Sequence, residues 1–141
     1  MNRNYFLLFT ALLFSCDKEN NQTNNEYKVQ AQVWTQNAAE YRALCYQAFN
    51  TAKTNLDAFF FFNKKHEKPL AIITDVDETV LDNSPYDGKL ILNNTTYNRE
   101  SWVEWGNLEE AEAIPGSLEF LQYASEKNVE IFIYQIDTLN N

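Results

Sequence analysis

Asp75 and Asp77, separated by one residue, are the side chains of this sequence whose type and spacing best suit chemistry. In extended backbone, residues two apart point the same way, so both carboxylates can be presented together at the end of a strand. Two close carboxylates repel, and both stay ionised only when a cation or a proton sits beside them. Magnesium suits such a pair, because it takes hard oxygen ligands, commonly one or two carboxylates completed by phosphate and water. With the phosphate charge neutralised, one aspartate can attack phosphorus in line and form an aspartyl-phosphate. The second carboxyl can protonate the departing alcohol and then activate the hydrolytic water.

Asp-x-Asp pairs also serve as loop caps and solvated turns. A calcium loop is excluded, because it needs glycine where Val80 stands and glutamate where Tyr86 stands. Context favours catalysis. The apolar run Leu70-Ala71-Ile72-Ile73 leads directly into the pair and reads as a strand covered on both faces of a parallel sheet. Thr79 completes an Asp-x-Asp-x-Thr spacing, and the apolar Val80-Leu81 follows.

Several elements must position this strand. From about Gln30 to Phe60, Trp34, Ala38, Tyr41, Cys45, Ala48, Ala52, Leu56 and Phe59 recur in steps of three or four, which predicts one long amphipathic helix. The cluster Phe59 to Phe62 is followed by charge and Pro69, which break the pattern; the only histidine, His66, falls in that break and reads as a solvated turn residue. Asn93 to Tyr97 is polar and irregular. Glu100 to Ala113 has helical character, with Trp102 and Trp105 sharing a face one turn apart. Pro115-Gly116-Ser117 restarts the chain as a helix that Lys127 and Asn128 close, and Val129 to Tyr134 reads as a second strand. Strand, intervening helices and strand describe an α/β crossover with an insertion.

The 141 residues suffice for one modest domain, and a formal charge of −9 argues against nucleic acid as a partner. A small phosphorylated substrate is compatible with that charge when a divalent cation supplies the positive field locally. Two cysteines in different surroundings, Cys16 and Cys45, do not make a disulfide framework; Cys45 reads as a small buried hydrophobe. Residues 1–15, with Arg3 and an apolar run from Tyr5 to Phe14, read as a secretory signal too short to span a membrane. Leu13-Phe14-Ser15-Cys16 resembles a lipobox, which would make Cys16 the lipidated residue; an ordinary signal with an incidental Cys is the alternative. Residues 16–28 then read as a flexible polar tether and residues 29–141 as the domain.

The stretch Ile73 to Tyr86 (ITDVDETVLDNSPY) resembles motif one of the haloacid dehalogenase superfamily, and in particular the class C acid phosphatases, also called the lipoprotein e(P4) 5′-nucleotidase family. Trp34 to Leu56, Trp102-Val103-Glu104-Trp105 and Ala113 to Phe120 (AIPGSLEF) agree with that family. The resemblance implies an α/β, HAD-like (Rossmannoid) parallel sheet with flanking helices, preceded by the long N-terminal helix. It implies magnesium-dependent hydrolysis of phosphomonoesters, nucleoside monophosphates among them. Asp75 would be nucleophile and magnesium ligand. Asp77 would be general acid/base, reaching magnesium through its backbone carbonyl. Trp102 would stack on the base of a nucleotide, a role a flat indole fills at little entropic cost; the plainer alternative is that Trp102 and Trp105 anchor a helix. With Cys16 lipidated, the protein would belong to the bacterial cell envelope as an outer-membrane lipoprotein.

After about Phe132 the resemblance stops. The family places Ser or Thr, usually followed by Asn-Arg, just past the second strand, whereas this chain reads Ile133-Tyr134-Gln135-Ile136-Asp137-Thr138. A later lysine and the aspartates that complete the metal shell have no counterpart. The expectation is therefore an incomplete sheet with exposed apolar faces. Two further readings stand beside the enzyme: an inactive truncated or frameshifted fragment, and a lipid-anchored nucleotide-binding protein without turnover.

Overall fold

A computed structural model of the chain describes residues 25–64 and 68–135. Residues 1–15, most of the tether, Cys16, His66 and Thr138 lie outside the described residues. Among them the order is α1 (Glu26–Asn37), α2 (Ala39–Phe62), β1 (Ala71–Asp75), β2 (Leu81–Asp82), α3 (Ser84–Leu92), α4 (Arg99–Leu108), β3 (Glu112–Ala113), α5 (Ser117–Glu126) and β4 (Glu130–Tyr134). The first helix starts three residues inside the segment read as a tether.

The predicted long N-terminal helix is two helices. Ala38 takes extended backbone, φ −76° and ψ 128°, and ends α1 before α2 begins. The reason is tertiary: α1 packs on α3 whereas α2 packs on α5, and one straight rod does not serve both neighbours. Trp34 and Tyr41 meet edge to face across the break, with ring centroids 5.1 Å apart. The second helix stops where the sequence predicts, with the Asn63 N–H donating to the Phe59 carbonyl at 2.8 Å.

β1 and β4 pair in parallel, from Ala71 opposite Glu130 to Asp75 opposite Tyr134. This is the α/β crossover expected from the two apolar runs. Between the strands, α4 is shorter than the helical character of Glu100 to Ala113 suggests. Glu109 turns left-handed at φ 55° after Leu108, and Glu112–Ala113 then pairs antiparallel with Leu81–Asp82. A ladder bond outside the helix wins over local propensity here. α3 lies beyond the reach of the periodicity argument; Pro85 in its first turn sets a helical φ where no intrahelical N–H is needed.

The closing helix depends on Gly116, at φ 90°. A Cβ there would stand 3.1 Å from Tyr46 Cδ1 and 3.3 Å from Phe49, so the residue combines a left-handed backbone with close approach to α2. Ser117, fully buried, donates its hydroxyl to the Val80 carbonyl at 3.1 Å and ties α5 to the turn that carries the aspartates. The core is small: Tyr86, Leu90, Ile114, Ala124 and Val129 are its buried apolar members among the described residues.

Candidate active site

Asp75 is the last residue of β1 and is exposed at its C-terminal end, where open α/β sheets take their ligands. Two residues on, Asp77 has left the strand. It forms an isolated bridge with Leu81, closed by Leu81 N–H to the Val76 carbonyl and Glu78 N–H to the Leu81 carbonyl, both at 2.9 Å. Glu78 takes φ 53° to make that turn. The turn is held from beneath by Ile114 N–H and Ser117 Oγ, both donating to the Val80 carbonyl. The pair is thus carried on one strand end and one pinned turn.

Asp77 is half-buried and both of its carboxylate oxygens accept hydrogen bonds. Asn83 Nδ2 donates to Oδ1 at 2.9 Å, and Gln135 Nε2 donates to Oδ2 at 3.0 Å from just beyond β4. Both donors are neutral, so nothing in this arrangement cancels the charge of Asp77. Glu78 is a neighbouring carboxyl whose partial burial pushes its pKa up, opposed by the Asn83 N–H and reinforced by the charge of Asp77.

Beside Asp77 opens a cavity of about 360 Å³ whose lining includes Asn83, Trp102, Trp105, Glu109 and Gln135. Its aromatic wall is built by α4 docking on α3. Tyr86 meets Trp102 edge to face at 5.1 Å and Trp105 at 6.4 Å, and its hydroxyl bonds Ser101 Oγ at 2.9 Å. Asn98 starts α4 by accepting from the Ser101 N–H at 2.9 Å. Trp102 therefore stands in the same cavity wall as Asp77. Trp105 is half-buried in that wall as well, with Nε1 donating to Asn83 Oδ1 at 2.9 Å; the plainer role of anchoring a helix is only part of what it does.

Three participants escape sequence reasoning. Asn83 lies inside the quoted motif, but nothing in its spacing reveals that its side chain faces Asp77. Gln135 was visible only as a departure from the Ser or Thr expected there. Glu109 gains its place from a left-handed backbone that no periodicity announces.

The donor chemistry fits magnesium in part. The Asp75 carboxylate and the Asp77 carbonyl are hard oxygens, and neither bond of the Asp77–Leu81 bridge uses that carbonyl. Among the described residues no group of three His, Cys, Asp or Glu converges to hold a metal.

The model of the family described as HAD superfamily, subfamily IIIB (Acid phosphatase) matches residues 10–134. The class C acid phosphatase from Bacillus anthracis, in its tungstate-bound crystal structure, is 40% identical with a TM-score of 0.75, over 84% of this chain and 48% of that one. A second structure of the B. anthracis class C acid phosphatase gives the same identity, TM-score and share of this chain, over 49% of its own length. The chain thus spans about half the length of the solved structures it matches.

Proposed function

The chain belongs to the HAD subfamily IIIB acid phosphatases, and from that premise we propose that its site hydrolyses phosphomonoesters, nucleoside monophosphates among them, through Asp75 and Asp77. One observation carries the reading: a strand-end aspartate is followed by a second one that lines an indole-walled cavity. In the first step an Asp75 oxygen attacks phosphorus, the bond from phosphorus to the leaving oxygen breaks, and protonated Asp77 gives its proton to that oxygen. In the second step Asp77 takes a proton from water, the water oxygen attacks the aspartyl-phosphate, and Asp75 is released as carboxylate with inorganic phosphate. Magnesium held by the Asp75 carboxylate and the Asp77 carbonyl would supply the positive charge that lets a phosphate dianion approach a carboxylate. Trp102 offers its indole to the base.

The test is turnover of a nucleoside monophosphate by the purified chain with magnesium. Asp75→Asn is expected to lower kcat by about 10³-fold or more, and Trp102→Ala to raise KM about tenfold with a smaller effect on kcat. Turnover that survives Asp75→Asn sinks the covalent mechanism. A second reading, nucleotide binding without turnover, draws on Gln135, whose amide occupies Asp77 Oδ2 where the resemblance leads one to expect a hydroxyl nearby. Saturable binding with no released phosphate would select it.

The envelope location is part of the proposal and rests on the sequence around Cys16. Among the described residues no helix is long and apolar enough to cross a membrane. Mass spectrometry of membrane-extracted protein is expected to find a diacylglyceryl-modified Cys16 at the mature N-terminus; an unmodified N-terminus there removes the anchor.

A further inference from the structure

We propose that Asn83 is a positioning residue, which locks the Asp77 carboxylate in one orientation by joining it to the indole of Trp105. Asn83 is 5% exposed and precedes α3 at its N-cap position. Asparagine there ordinarily turns its side chain back to accept a helix N–H. This one does not: no side-chain capping bond is made, because the second helical residue, Pro85, has no N–H and the Tyr86 N–H of the third donates to the Asn83 carbonyl at 2.9 Å. The Asn83 amide instead makes the 2.9 Å bonds to Trp105 and Asp77.

The direction of this chain of bonds is set by chemistry. An indole N–H can only donate, so the amide oxygen must face Trp105 and the amide NH2 must face Asp77. The backbone of Asn83 is held independently, its N–H donating to Glu78 Oε1 at 3.2 Å and its carbonyl accepting from the Tyr86 N–H at 2.9 Å. A buried amide fixed at backbone and both side-chain ends leaves Asp77 little freedom to rotate. It also distinguishes the two carboxylate oxygens. Oδ1 is committed to a buried donor, whereas among the described residues Oδ2 meets the exposed Gln135, a partner that an entering substrate can displace. Oδ2 is then the oxygen that gives and takes the proton.

What Asp77 does with that proton rests on the acid phosphatase reading; the bond relay does not, and the two are tested separately. On the 141-residue chain, Trp105→Phe assigns the indole N–H resonance in a proton-nitrogen correlation spectrum. That resonance should shift on Asp77→Ala and lose its response in the Asn83→Leu background, which removes both amide bonds without adding a charge. An indole resonance indifferent to Asp77 in otherwise wild-type protein overturns the proposal. In turnover of a nucleoside monophosphate with magnesium, Asn83→Leu should lower kcat about tenfold with KM within about twofold, because orientation affects the proton step and not binding. A raised KM with kcat intact overturns the proposal too. If the wild-type chain shows no turnover, the acid phosphatase reading is what fails, and the indole resonance alone decides for or against the relay.

Discussion

At the scale of single residues, a charged cluster far from the cavity makes a clean pH prediction. Asp57 on α2 pairs with Lys53 at 2.8 Å and accepts the hydroxyl of Tyr123 on α5, and the Lys53 ammonium lies 4.0 Å from the Tyr123 ring centre. The bond to Lys53, followed by that to Tyr123, holds the Asp57 carboxyl below its ordinary 3.8. A carboxyl lowered on folding stabilises the folded chain above its unfolded value and ceases to as pH falls through the folded one. Wild-type protein is therefore expected to melt above Asp57→Asn at neutral pH by a small margin, screened as the pair is. That margin should close below about pH 4. Melting scans at stepped pH check this, and a margin independent of pH refutes it. Toward the other end of the same helix, burial followed by the bond to the Cys45 thiol pushes Tyr41 up to about 12, so its phenol stays neutral at any physiological pH. The sequence made the paired aspartates legible, because the strand before Asp75 and the spacing to Asp77 and Thr79 are local. It hid Asn83, since a hydrogen bond to a residue six places back depends on the turn at Glu78.

At the scale of elements, the strands and α5 were readable because their signals, apolar runs and a Pro-Gly-Ser start, act over a few residues. The helix break was not. Apolar spacing continues unbroken across Ala38, so only the competing attractions of α3 and α5 decide that the chain bends there. A substitution separates the two cases. Proline forces its predecessor toward extended backbone and lacks an N–H, and both conditions are met at Ala39: Ala38 has ψ 128°, and Ala39 is the first residue of α2. Ala39→Pro should leave the melting temperature unchanged or raise it slightly, by up to about 1 kcal/mol of stability, through a less flexible unfolded chain. Were α1 and α2 one continuous helix, the same change would cost about 3 kcal/mol. Urea titration distinguishes these outcomes.

At the scale of the whole molecule, one face of the β1–β4 sheet is layered and the other is not. α5 packs on β4 and α2 packs on α5, so Ile72 and Ile131 turn into the structure, half-buried. On the alternate positions Ile73 is 78% exposed, Phe132 53% and Tyr134 64% among the described residues; on the layered face Ile133, further along β4, is 51% exposed. The run ahead of Asp75 reads as a strand covered on both faces, and the described elements cover it on one. Among the described residues this apolar face is open to water. Patches of this kind adsorb apolar dyes and other apolar surfaces. The chain should therefore enhance the fluorescence of anilinonaphthalene sulfonate and scatter more light as its concentration rises. Serine at positions 73, 132 and 134 together should suppress both while leaving far-ultraviolet circular dichroism in place, because these side chains contribute little to the core formed by Tyr86, Leu90, Ile114, Ala124 and Val129. Dye binding that persists in the triple variant would move the responsible surface elsewhere, with Phe61 and Phe62 at the end of α2 the next exposed pair to change.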